Sequence, residues 1–527
     1  MKIEESQGQA FVVEEKNCKK AIKKKQKAIN KQEKANKKAA KLAEKQKKNQ
    51  EIKQEKLKQK NLEETKKINY FKKLAIIRQI TKERKEKEKA EAAEYDKRMS
   101  ALYKKQKTPP WLRLDNAGTI YPSAERRHWN FVYRISAVTY EKVDAKVLAK
   151  AVEDILPRFP SFNVCLKRGL FWNYFERAPR KLVPVKDNDF PCQKFDLSDT
   201  NANLIRVIYD DFKICFECFH ALADGRGSLM FLNSLLGRYF ELLGHEITDD
   251  GTILSCKDMP RKEEIEDSFL KYYEKDKASR PKEKAAYKIK GTNLGDGAVN
   301  SIVAEMSVSQ LKSIAKDNNC SLTVLLCACI GYVAYLKKNP QSKKPVSISV
   351  PIDCRTRLGS KTLRNFSSYI NVDVDGENLT LKDCIEIFKS NFAKIDKDFL
   401  LGNINANVKL QKNFFIKIVP LFLKQIIMKN AFNVAGENYQ TLAFSNLGAV
   451  KVPKEFENLI DRYEANLGRS GYNTKSMGIV SFKDKLTITF SSNIEECETE
   501  RDYFTLLAKL GADIKINSNR RDIYGGI

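Results

Sequence analysis

One histidine, followed four residues later by an aspartate and then by a glycine, carries the clearest chemistry in this sequence. His220 ends an apolar run with the pattern of a strand, and Asp224 and Gly225 lead into a helix-like segment, 228–243. The chain of 527 residues holds only three histidines. An imidazole has an ordinary pKa of about 6.5 and can accept a proton at neutral pH. These residues predict a general-base site at His220.

The local sequence leaves two roles open for Asp224. Its carboxylate can orient the His220 ring and fix its tautomer, or it can anchor the loop by pairing with an arginine from elsewhere. Gly225 permits a sharp backbone bend beside it. No serine-hydrolase elbow, P-loop or dinucleotide fingerprint accompanies these residues. The single CxxC pair, Cys215 and Cys218, lacks the second pair of a zinc knuckle, so no metal site is predicted.

Positive charge is concentrated in the N-terminal fifth of the chain. The net charge is +29, and the first 110 residues hold 35 of the 96 basic residues but only 16 of the 67 acidic ones. Helix-favouring Lys, Glu, Gln and Ala dominate this stretch. We expect residues 1–107 to form an exposed helical arm, either simply solvated or attached to an anionic surface such as a membrane or a nucleic acid. A stable coiled coil is not expected before Leu62, because no sustained apolar seam precedes it, and one short apolar stripe follows.

The sequence after the arm has a globular composition. Short strands and helices alternate irregularly, which indicates an α+β fold rather than a doubly wound sheet. Residues 259–300 are polar and charged, and we expect them to link two halves, 108–258 and 301–527. No run reaches the about 18 apolar residues of a membrane span. The nearest run, 414–428, is predicted to be a core-facing helix, with an acyl-tunnel wall or a membrane interface as alternatives.

Cysteine usage and the N-terminus bear on the compartment. Twelve cysteines are scattered along the chain, and the N-terminus lacks the apolar segment of a secretory signal. Free thiols in a reducing cytoplasm fit this pattern better than a disulfide framework. We therefore expect a cytoplasmic protein, with a peripheral membrane location as the alternative.

Three stretches, in their order along the chain, resemble motifs of the chloramphenicol-acetyltransferase-like superfamily. Phe219–Gly225 matches the HxxxDG motif, Asp353–Arg357 is similar to the D-x-R-x-R stretch, and Ser445–Gly448 resembles the N-x-G turn. The superfamily includes plant BAHD acyltransferases, peptide-synthetase condensation domains, polyketide-associated acyltransferases and bacterial alcohol acetyltransferase-like proteins. Phe219 stands where condensation domains carry an additional histidine, and the BAHD DFGWG motif is replaced by Ser445–Gly448. Both differences favour the alcohol acetyltransferase-like branch.

The resemblance covers about 108–520 and implies a fold and a reaction. Two similar lobes with mixed sheets would enclose a tunnel. His220 would take the proton from an alcohol or amine as it attacks an acyl thioester, presumed to be acetyl-CoA or acyl-CoA, without a permanently bound cofactor. Every histidine precedes residue 246, so the second lobe has no imidazole, which fits one site per chain.

The resemblance also assigns roles to the other motif residues. Asp224 would be structural and would pair with an arginine, Arg355 first and Arg357 second, while Gly225 would allow the backbone bend. In the third motif, Ser445 or Asn446 would donate to the oxyanion.

These roles describe an acyl-CoA-dependent enzyme of the alcohol O-acetyltransferase type. Two alternatives remain: a condensing enzyme that uses carrier-protein thioesters, and a non-catalytic member of the fold whose basic arm binds an anionic partner.

Overall fold

The structure is a computed structural model that describes residues 4–126, 129–187, 190–275, 283–295, 297–435, 437–471 and 473–519. One of the three histidines, His128, and the last eight residues of the predicted second lobe lie outside these ranges. The chain divides into two compact units, Met1–Glu91 and Ala92–Ile527.

The first unit is formed by one long helix. Helix α1 (Glu4–Lys105) has 102 residues, and its sequence continues into the second unit. Every side chain up to Glu91 whose burial is described is exposed. A Lys-rich helix of this kind exposes charge along its whole length, as expected for a solvated helix.

The last turns of α1 belong to the second unit. Tyr95, Met99 and Tyr103, spaced four residues apart, are buried there. The side-chain amide of Asn163 donates to the hydroxyl oxygens of Tyr95 (3.3 Å) and Tyr103 (3.2 Å). Residues 92–105 thus pack onto the globular part through an apolar face at four-residue spacing. The exposed part of the arm therefore ends before residue 107, where the sequence predicted its end.

This packing predicts different outcomes for two truncations. Removal of residues 1–91 should leave the melting temperature of the rest unchanged. Removal of residues 1–107 should lower the free energy of unfolding by about 3 kcal/mol or more, because burial of each large side chain contributes about 1.5–3 kcal/mol. Thermal and urea unfolding of the two truncated proteins would measure the difference. Equal stability would show that the last turns of α1 are dispensable.

The first half of the second unit is built from short strands and helices that run from the end of α1 to α6. After α1, these elements are β1 (Trp111–Arg113), α2 (Tyr121–Ala124), β2 (Val132–Thr139), α3 (Ala145–Ile155), β3 (Val164–Arg168), β4 (Asn173–Arg177), β5 (Val185–Lys186), β6 (Ile205–Asp210), β7 (Lys213–Phe219), α4 (Gly225–Leu242), α5 (Lys262–Ile265) and α6 (Ser268–Lys271).

The second half begins with β8 and ends with β15. Its elements are β8 (Asn300–Ser307), α7 (Val308–Asp317), α8 (Leu322–Leu336), β9 (Val346–Asp353), α9 (Arg355–Leu358), β10 (Ser367–Val374), α10 (Leu381–Phe392), α11 (Lys397–Lys412), α12 (Phe414–Ile418), α13 (Leu421–Ala435), β11 (Leu442–Ala449), β12 (Ile460–Leu467), β13 (Lys475–Phe482), β14 (Lys485–Ser492), α14 (Glu498–Lys509) and β15 (Lys515–Ser518).

Two mixed sheets form the two lobes. One has the order β12-β2-β7-β6-β5, the other has the order β10-β9-β11-β13-β14-β8-β15, and a small third sheet is β1-β4-β3. In the larger sheets β5 runs parallel to β6, and β11 runs parallel to both β9 and β13. Each of these two sheets has its own core of buried apolar side chains. The fold is therefore α+β, as the irregular alternation of elements predicted.

Strand β12 joins the two lobes. It lies in the predicted second lobe of the sequence but pairs with β2 of the first sheet. The Thr487 hydroxyl on β14 donates to the carbonyl of Tyr463 (2.6 Å). The carbonyl of Ala465 lies 2.0 Å from where a Cβ on Gly478 would stand, so only glycine permits this approach of β12 to β13. A division at residues 259–300 therefore does not separate the sheets completely.

The predicted linker is also packed rather than extended where the structure describes it. Glu264 in α5 forms a buried bidentate ion pair with Arg158 from the first half (2.6 and 2.8 Å). Ser268 in α6 shares a hydrogen bond with Ser360 from the second half (2.8 Å). Short helices of the linker thus connect the two halves.

The segment predicted to be a core-facing helix lies at the surface instead. It divides into α12 and α13 at Pro420, and most of its large apolar side chains are exposed. In the described ranges, no single helix has the length and apolarity to cross a bilayer. Helices α7 and α8 would reach that length only together, and they are bent by 77°.

Candidate active site

His220 follows the last residue of β7, near the contact between the two halves of the chain. Its backbone N–H donates to the carbonyl of Phe131 (2.7 Å), which extends the pairing of β2 and β7 by one residue. The partly buried ring stacks on Tyr121 with centroids 4.8 Å apart and meets Tyr133 edge-on at 5.0 Å. Two aromatic rings therefore restrain the imidazole.

Asn365, just before β10, determines the tautomer of His220. Its side-chain nitrogen donates to the backbone carbonyl of His220 (3.0 Å), which can only accept a hydrogen bond. The same nitrogen also donates to the Asp115 carboxylate (3.2 Å). Its side-chain oxygen therefore faces His220 Nδ1 at 3.2 Å, and Nδ1 must carry the hydrogen. In the neutral ring the lone pair is then on Nε2, the atom that can act as a base.

The surroundings favour the neutral form of His220. Burial lowers the pKa of His220 below its usual value of 6.5, and hydrogen bonding to its own backbone, the charge of Asp224 and the bond to Asn365 offset part of this effect. Burial disfavours the charged imidazolium because the site is poorly solvated. At neutral pH the ring is ready to accept a proton.

Asp115 holds Asn365 in place from below the site. It is fully buried, and one of its oxygens accepts the backbone N–H of Gly118 (2.6 Å) while the other accepts that of Asn365 (3.3 Å). Burial raises the pKa of Asp115 to about 7, against the opposing charge of Arg364 at 3.7 Å. The Asp115 carboxyl therefore gains or loses its proton near neutral pH. This change of charge takes place next to Asn365, which contacts the imidazole.

Asp224 points away from His220 and anchors the loop. Its two oxygens accept hydrogen bonds from the two terminal nitrogens of Arg355 (2.9 and 3.0 Å), so the predicted ion pair with Arg355 is present. The carboxylate also accepts the N–H of Phe366 (2.8 Å) and caps α4 through Gly227 (3.1 Å). Burial alone would raise the pKa of Asp224, but Arg355 and these hydrogen bonds lower it overall. The aspartate thus connects the histidine loop to the second half.

Gly225 has a different role from the predicted backbone bend. It is the first residue of α4, and its φ is not in the positive range of the glycines that need that freedom. A Cβ there would lie 2.5 Å from the end of the Leu447 side chain. At Gly227 a Cβ would lie 1.9 Å from the backbone oxygen of Leu363, which cannot move as easily. Small residues are needed here because the second half approaches the start of α4.

Comparison with known proteins gives a match at the level of structure. No protein-family model matches the sequence, and no curated protein is similar to it. The first condensation domain of the calcium-dependent antibiotic synthetase, solved with substrate analogue 3a, matches with a TM-score of 0.51 at 12% identity, covering 76% of this chain and 97% of that one. With analogue 2a the TM-score is 0.50 at 13% identity, covering 76% and 94%. The chain has the condensation-domain fold.

This fold is the one that the motifs around His220 and Arg355 predicted through their resemblance to the chloramphenicol-acetyltransferase-like superfamily. Polyketide synthase associated protein 5 from Mycobacterium tuberculosis matches at a TM-score of 0.49 with 14% identity, covering 76% of this chain and 98% of that one, and supports no conclusion by itself. At such identities the likeness establishes the condensation-domain fold and not the reaction, which must be argued from the site.

The third predicted motif, Ser445–Gly448, lies within β11 rather than in a turn after it, at an irregularity of the pairing with β13 between Asn446 and Ala449. The Asn446 amide donates to the Thr323 hydroxyl (3.2 Å), and its oxygen accepts the N–H of Gly448 (2.9 Å). Gly448 has a φ of +74°, a conformation that favours glycine. Among the hydrogen bonds of the described residues, neither Ser445 nor Asn446 contacts His220. Their role as oxyanion donors stays a prediction.

A cavity of about 370 Å³ lies beside β10 and α11, and His220 is not among its lining residues. Phe269, which lines it, meets the ring of Phe366 edge-on at 5.3 Å. The backbone N–H of Phe366 donates to Asp224. The cavity therefore lies near the contact between Asp224 and the second half of the chain, and the imidazole does not line it. In the described part of the chain, no cluster of three or more His, Cys, Asp or Glu side chains is suited to a metal ion.

Four residues of the site were not identified from the sequence: Asp115, Tyr121, Tyr133 and Asn365. Asp115 lies two residues after β1, and Asn365 lies two residues before β10, the strand that follows the D-x-R-x-R motif. The position of Asn365 near that motif was a usable signal. The two tyrosines carry no such signal, because only the folded chain brings them to the imidazole.

Proposed function

We propose that the protein is an acyl-CoA-dependent acyltransferase that moves an acyl group, acetyl in the simplest case, from a CoA thioester to the hydroxyl of an alcohol. The observation that carries the proposal is the hydrogen bond between His220 Nδ1 and the Asn365 side-chain oxygen. This bond leaves the basic lone pair on Nε2, in a ring whose pKa is lowered by burial. The condensation-domain fold and the three motifs support the same reaction class.

The proposed reaction needs one base and no acyl-enzyme. Nε2 of His220 accepts the alcohol proton while the alcohol oxygen forms a bond to the thioester carbon. The tetrahedral oxyanion then reforms the carbonyl, the carbon–sulfur bond breaks, and the thiolate takes the proton back from the imidazolium. Binding both substrates next to the ring supplies much of the rate enhancement. Asp224 and Arg355 act at a distance from the reacting atoms by holding the histidine loop.

Release of free thiol tests this function directly. Purified protein is mixed with acetyl-CoA or longer acyl-CoA and a panel of alcohols and amines, and thiol release is followed with a thiol reagent. Acceptor-dependent release by the natural protein, absent from His220→Ala, would support the proposal. Equal behaviour of the two proteins across the whole panel would refute it.

A carrier-protein-dependent condensing enzyme is a second candidate. It is favoured by one observation, that the two matching structures with the highest TM-scores given above are condensation domains. Phe219 stands where those enzymes carry an additional histidine, which argues against it. Transfer from acyl carrier protein but not from CoA would favour this candidate. If neither donor is used, a binding protein whose basic arm contacts an anionic partner is the remaining reading.

Asn365→Leu is expected to lower kcat by about tenfold to a hundredfold, because the imidazole is no longer held in the reactive tautomer. The same substitution should lower the apparent pKa of the acid limb of the kcat/KM profile, since the bond from Asn365 raises the pKa of His220. Rates across the pH range would measure both effects, with thermal melting as a check on folding.

Asn318→Leu provides the control for that variant. Its amide donates to the carbonyl of Ile314 at the end of α7 and has no part in the site. It should keep the rate and the pH profile of the natural protein. An unchanged pH profile in Asn365→Leu, with the fold intact, would remove Asn365 as a positioning residue.

A further inference from the structure

Helix α13 has the reverse of the polarity expected for a helix on the surface of a globular protein. Its outward side chains include Phe422, Leu423, Ile426 and Ile427, which are 44–64% exposed and recur at four-residue spacing. Its only buried charged side chain among those described is Lys424, which is 2% exposed. Surface helices normally place apolar residues inward and lysines outward. This helix therefore presents an apolar face that the described residues of its unit do not cover.

The inward lysine fixes α13 against the turn between β3 and β4. Lys424 Nζ donates to the carbonyl of Phe171 (2.9 Å) and lies 3.3 Å from the centre of the Trp172 ring. The N–H of Leu421 donates to the carbonyl of Leu170 (2.9 Å). Leu170 is 74% exposed and Phe171 is 40% exposed. The apolar face thus continues from α13 onto this turn, which makes it larger than a single helix could provide.

The charged residues of the segment that contains α12 and α13 are all positive. No Asp or Glu occurs between residues 399 and 436, whereas this stretch contains five lysines, of which Lys417 and Lys429 are exposed beside the apolar face. Lys167 and Arg168 immediately precede the β3–β4 turn; Lys167 pairs with Glu176 of β4 (3.6 Å), whereas Arg168 is exposed. An apolar face with a lysine rim matches the interface of an anionic bilayer, where apolar side chains enter between the headgroups and lysines contact the phosphates.

A second copy of the chain fits this surface less well. A two-fold symmetric contact would bring the lysines of both copies into one interface, and this segment contains no carboxylate that could compensate them. An anionic lipid surface supplies the missing negative charge.

We propose that α12, α13 and the β3–β4 turn form a docking surface for an anionic lipid membrane. The inner side of the same helix reaches the aromatic residues near the imidazole: Phe432 lies 4.9 Å from Trp129 and 5.6 Å from Phe131, measured between ring centres. Docking would therefore place the wall of the His220 site at the membrane surface. The proposal concerns binding alone and stands independently of the reaction proposed above.

Tryptophan quenching by brominated lipids is a selective test on the full chain. All three tryptophans, Trp111, Trp129 and Trp172, follow the Lys-rich arm in the sequence, and the Trp172 ring lies 3.3 Å from Nζ of Lys424 in α13. Vesicles of phosphatidylcholine with phosphatidylglycerol, brominated in the acyl chains, are compared with vesicles of phosphatidylcholine alone. We expect quenching and cosedimentation with the anionic vesicles, and weaker effects with the neutral ones.

Two double variants make the test specific. Phe422→Glu/Ile426→Glu should abolish quenching and lower the partition coefficient by about tenfold or more in about 1 M salt, where arm binding is screened. The control Val183→Glu/Ile516→Glu alters side chains of similar exposure elsewhere and should behave like the natural protein. Lys417→Gln/Lys429→Gln should reduce the preference for anionic over neutral vesicles.

Three outcomes would overturn the proposal. In one, Phe422→Glu/Ile426→Glu is quenched as strongly as the natural protein. In another, the control variant loses binding to the same extent, so that the loss is not specific to this face. In the third, the natural protein is an oligomer that Phe422→Glu/Ile426→Glu dissociates without lipid, and no quenching occurs, which would assign the face to a second copy of the chain.

Discussion

Replacement of His220 by alanine is expected to slow acyl transfer by about 10²- to 10⁴-fold, the usual contribution of a positioned general base. The structure offers Nε2 as the basic atom and lowers the pKa of the ring by burial. Below that pKa the ring is protonated and cannot act as a base, so the rate of the natural protein should fall as the solution becomes acidic. At neutral pH the ring is already unprotonated, and its protonation should not limit the rate. Steady-state thiol release across the pH range would show both effects.

His245→Ala is the matched control for that substitution. His245 follows α4, and its ring meets that of Phe240 edge-on at 6.1 Å, away from the candidate site, so its loss should leave the rate unchanged. His220→Gln keeps a polar side chain of similar length but no base and should be as slow as His220→Ala. A rate within a few-fold of the natural protein in both His220 variants would exclude general-base catalysis by this residue.

Arg355→Met is expected to lower the free energy of unfolding by about 3–5 kcal/mol, the usual cost of removing one partner from a buried ion pair. The substitution leaves the Asp224 carboxylate buried without its guanidinium, and it removes the donor to the carbonyl of Thr362 (2.7 Å). Because Asp224 holds the loop that carries His220, transfer activity should fall together with stability. Urea unfolding would measure the change.

The matched control for this variant lies two residues away. Arg357 belongs to the same motif but is exposed, and Arg357→Met should change the stability by less than about 0.5 kcal/mol. The pKa of Asp224 is lowered below 3.8 in the folded protein. The ionised carboxylate therefore contributes its full stabilisation of the folded state above pH 3.8, and this stabilisation is lost as the pH falls through the pKa of Asp224 in the folded protein. The difference in free energy of unfolding between Arg355→Met and the natural protein should therefore become smaller in acid. Equal stability of the two arginine variants at neutral pH would contradict the anchoring role.

Much of the fold was predictable because its signals are local. Apolar alternation, helix caps and proline breaks depend on neighbouring residues, and Asp144 caps α3 as the sequence indicates. The sequence of α8 is apolar nearly all round, a pattern that indicates burial, and the helix is a core element of the second lobe. The order of three short motifs added the superfamily resemblance, and with it the α+β two-lobed fold and the pairing of Asp224 with Arg355.

Other features depend on contacts between distant parts of the chain. For these features the predictions from the sequence were wrong, or no prediction could be made. The run 414–428 was expected in the core on composition alone, but Lys424 finds its partners in the β3–β4 turn, 253 residues earlier, and this turns the apolar side chains outward. Likewise Gly225 was expected to bend the backbone, whereas the second half approaches it through Leu447. No local pattern reports such neighbours.

The sequence alone therefore predicted which residue can act as the base, since His220 is the only histidine within a recognisable motif, and through the resemblance it ranked Arg355 ahead of Arg357 as the partner of Asp224. The tertiary structure alone decided how that base is held: Asn365 reaches His220 across 145 residues of chain and fixes its tautomer, and Asp115 in turn orients Asn365. The physical reason is that a motif records residues adjacent along one strand and turn. Protonation of an imidazole is set by the groups that surround it in space, and these come from both halves of the chain.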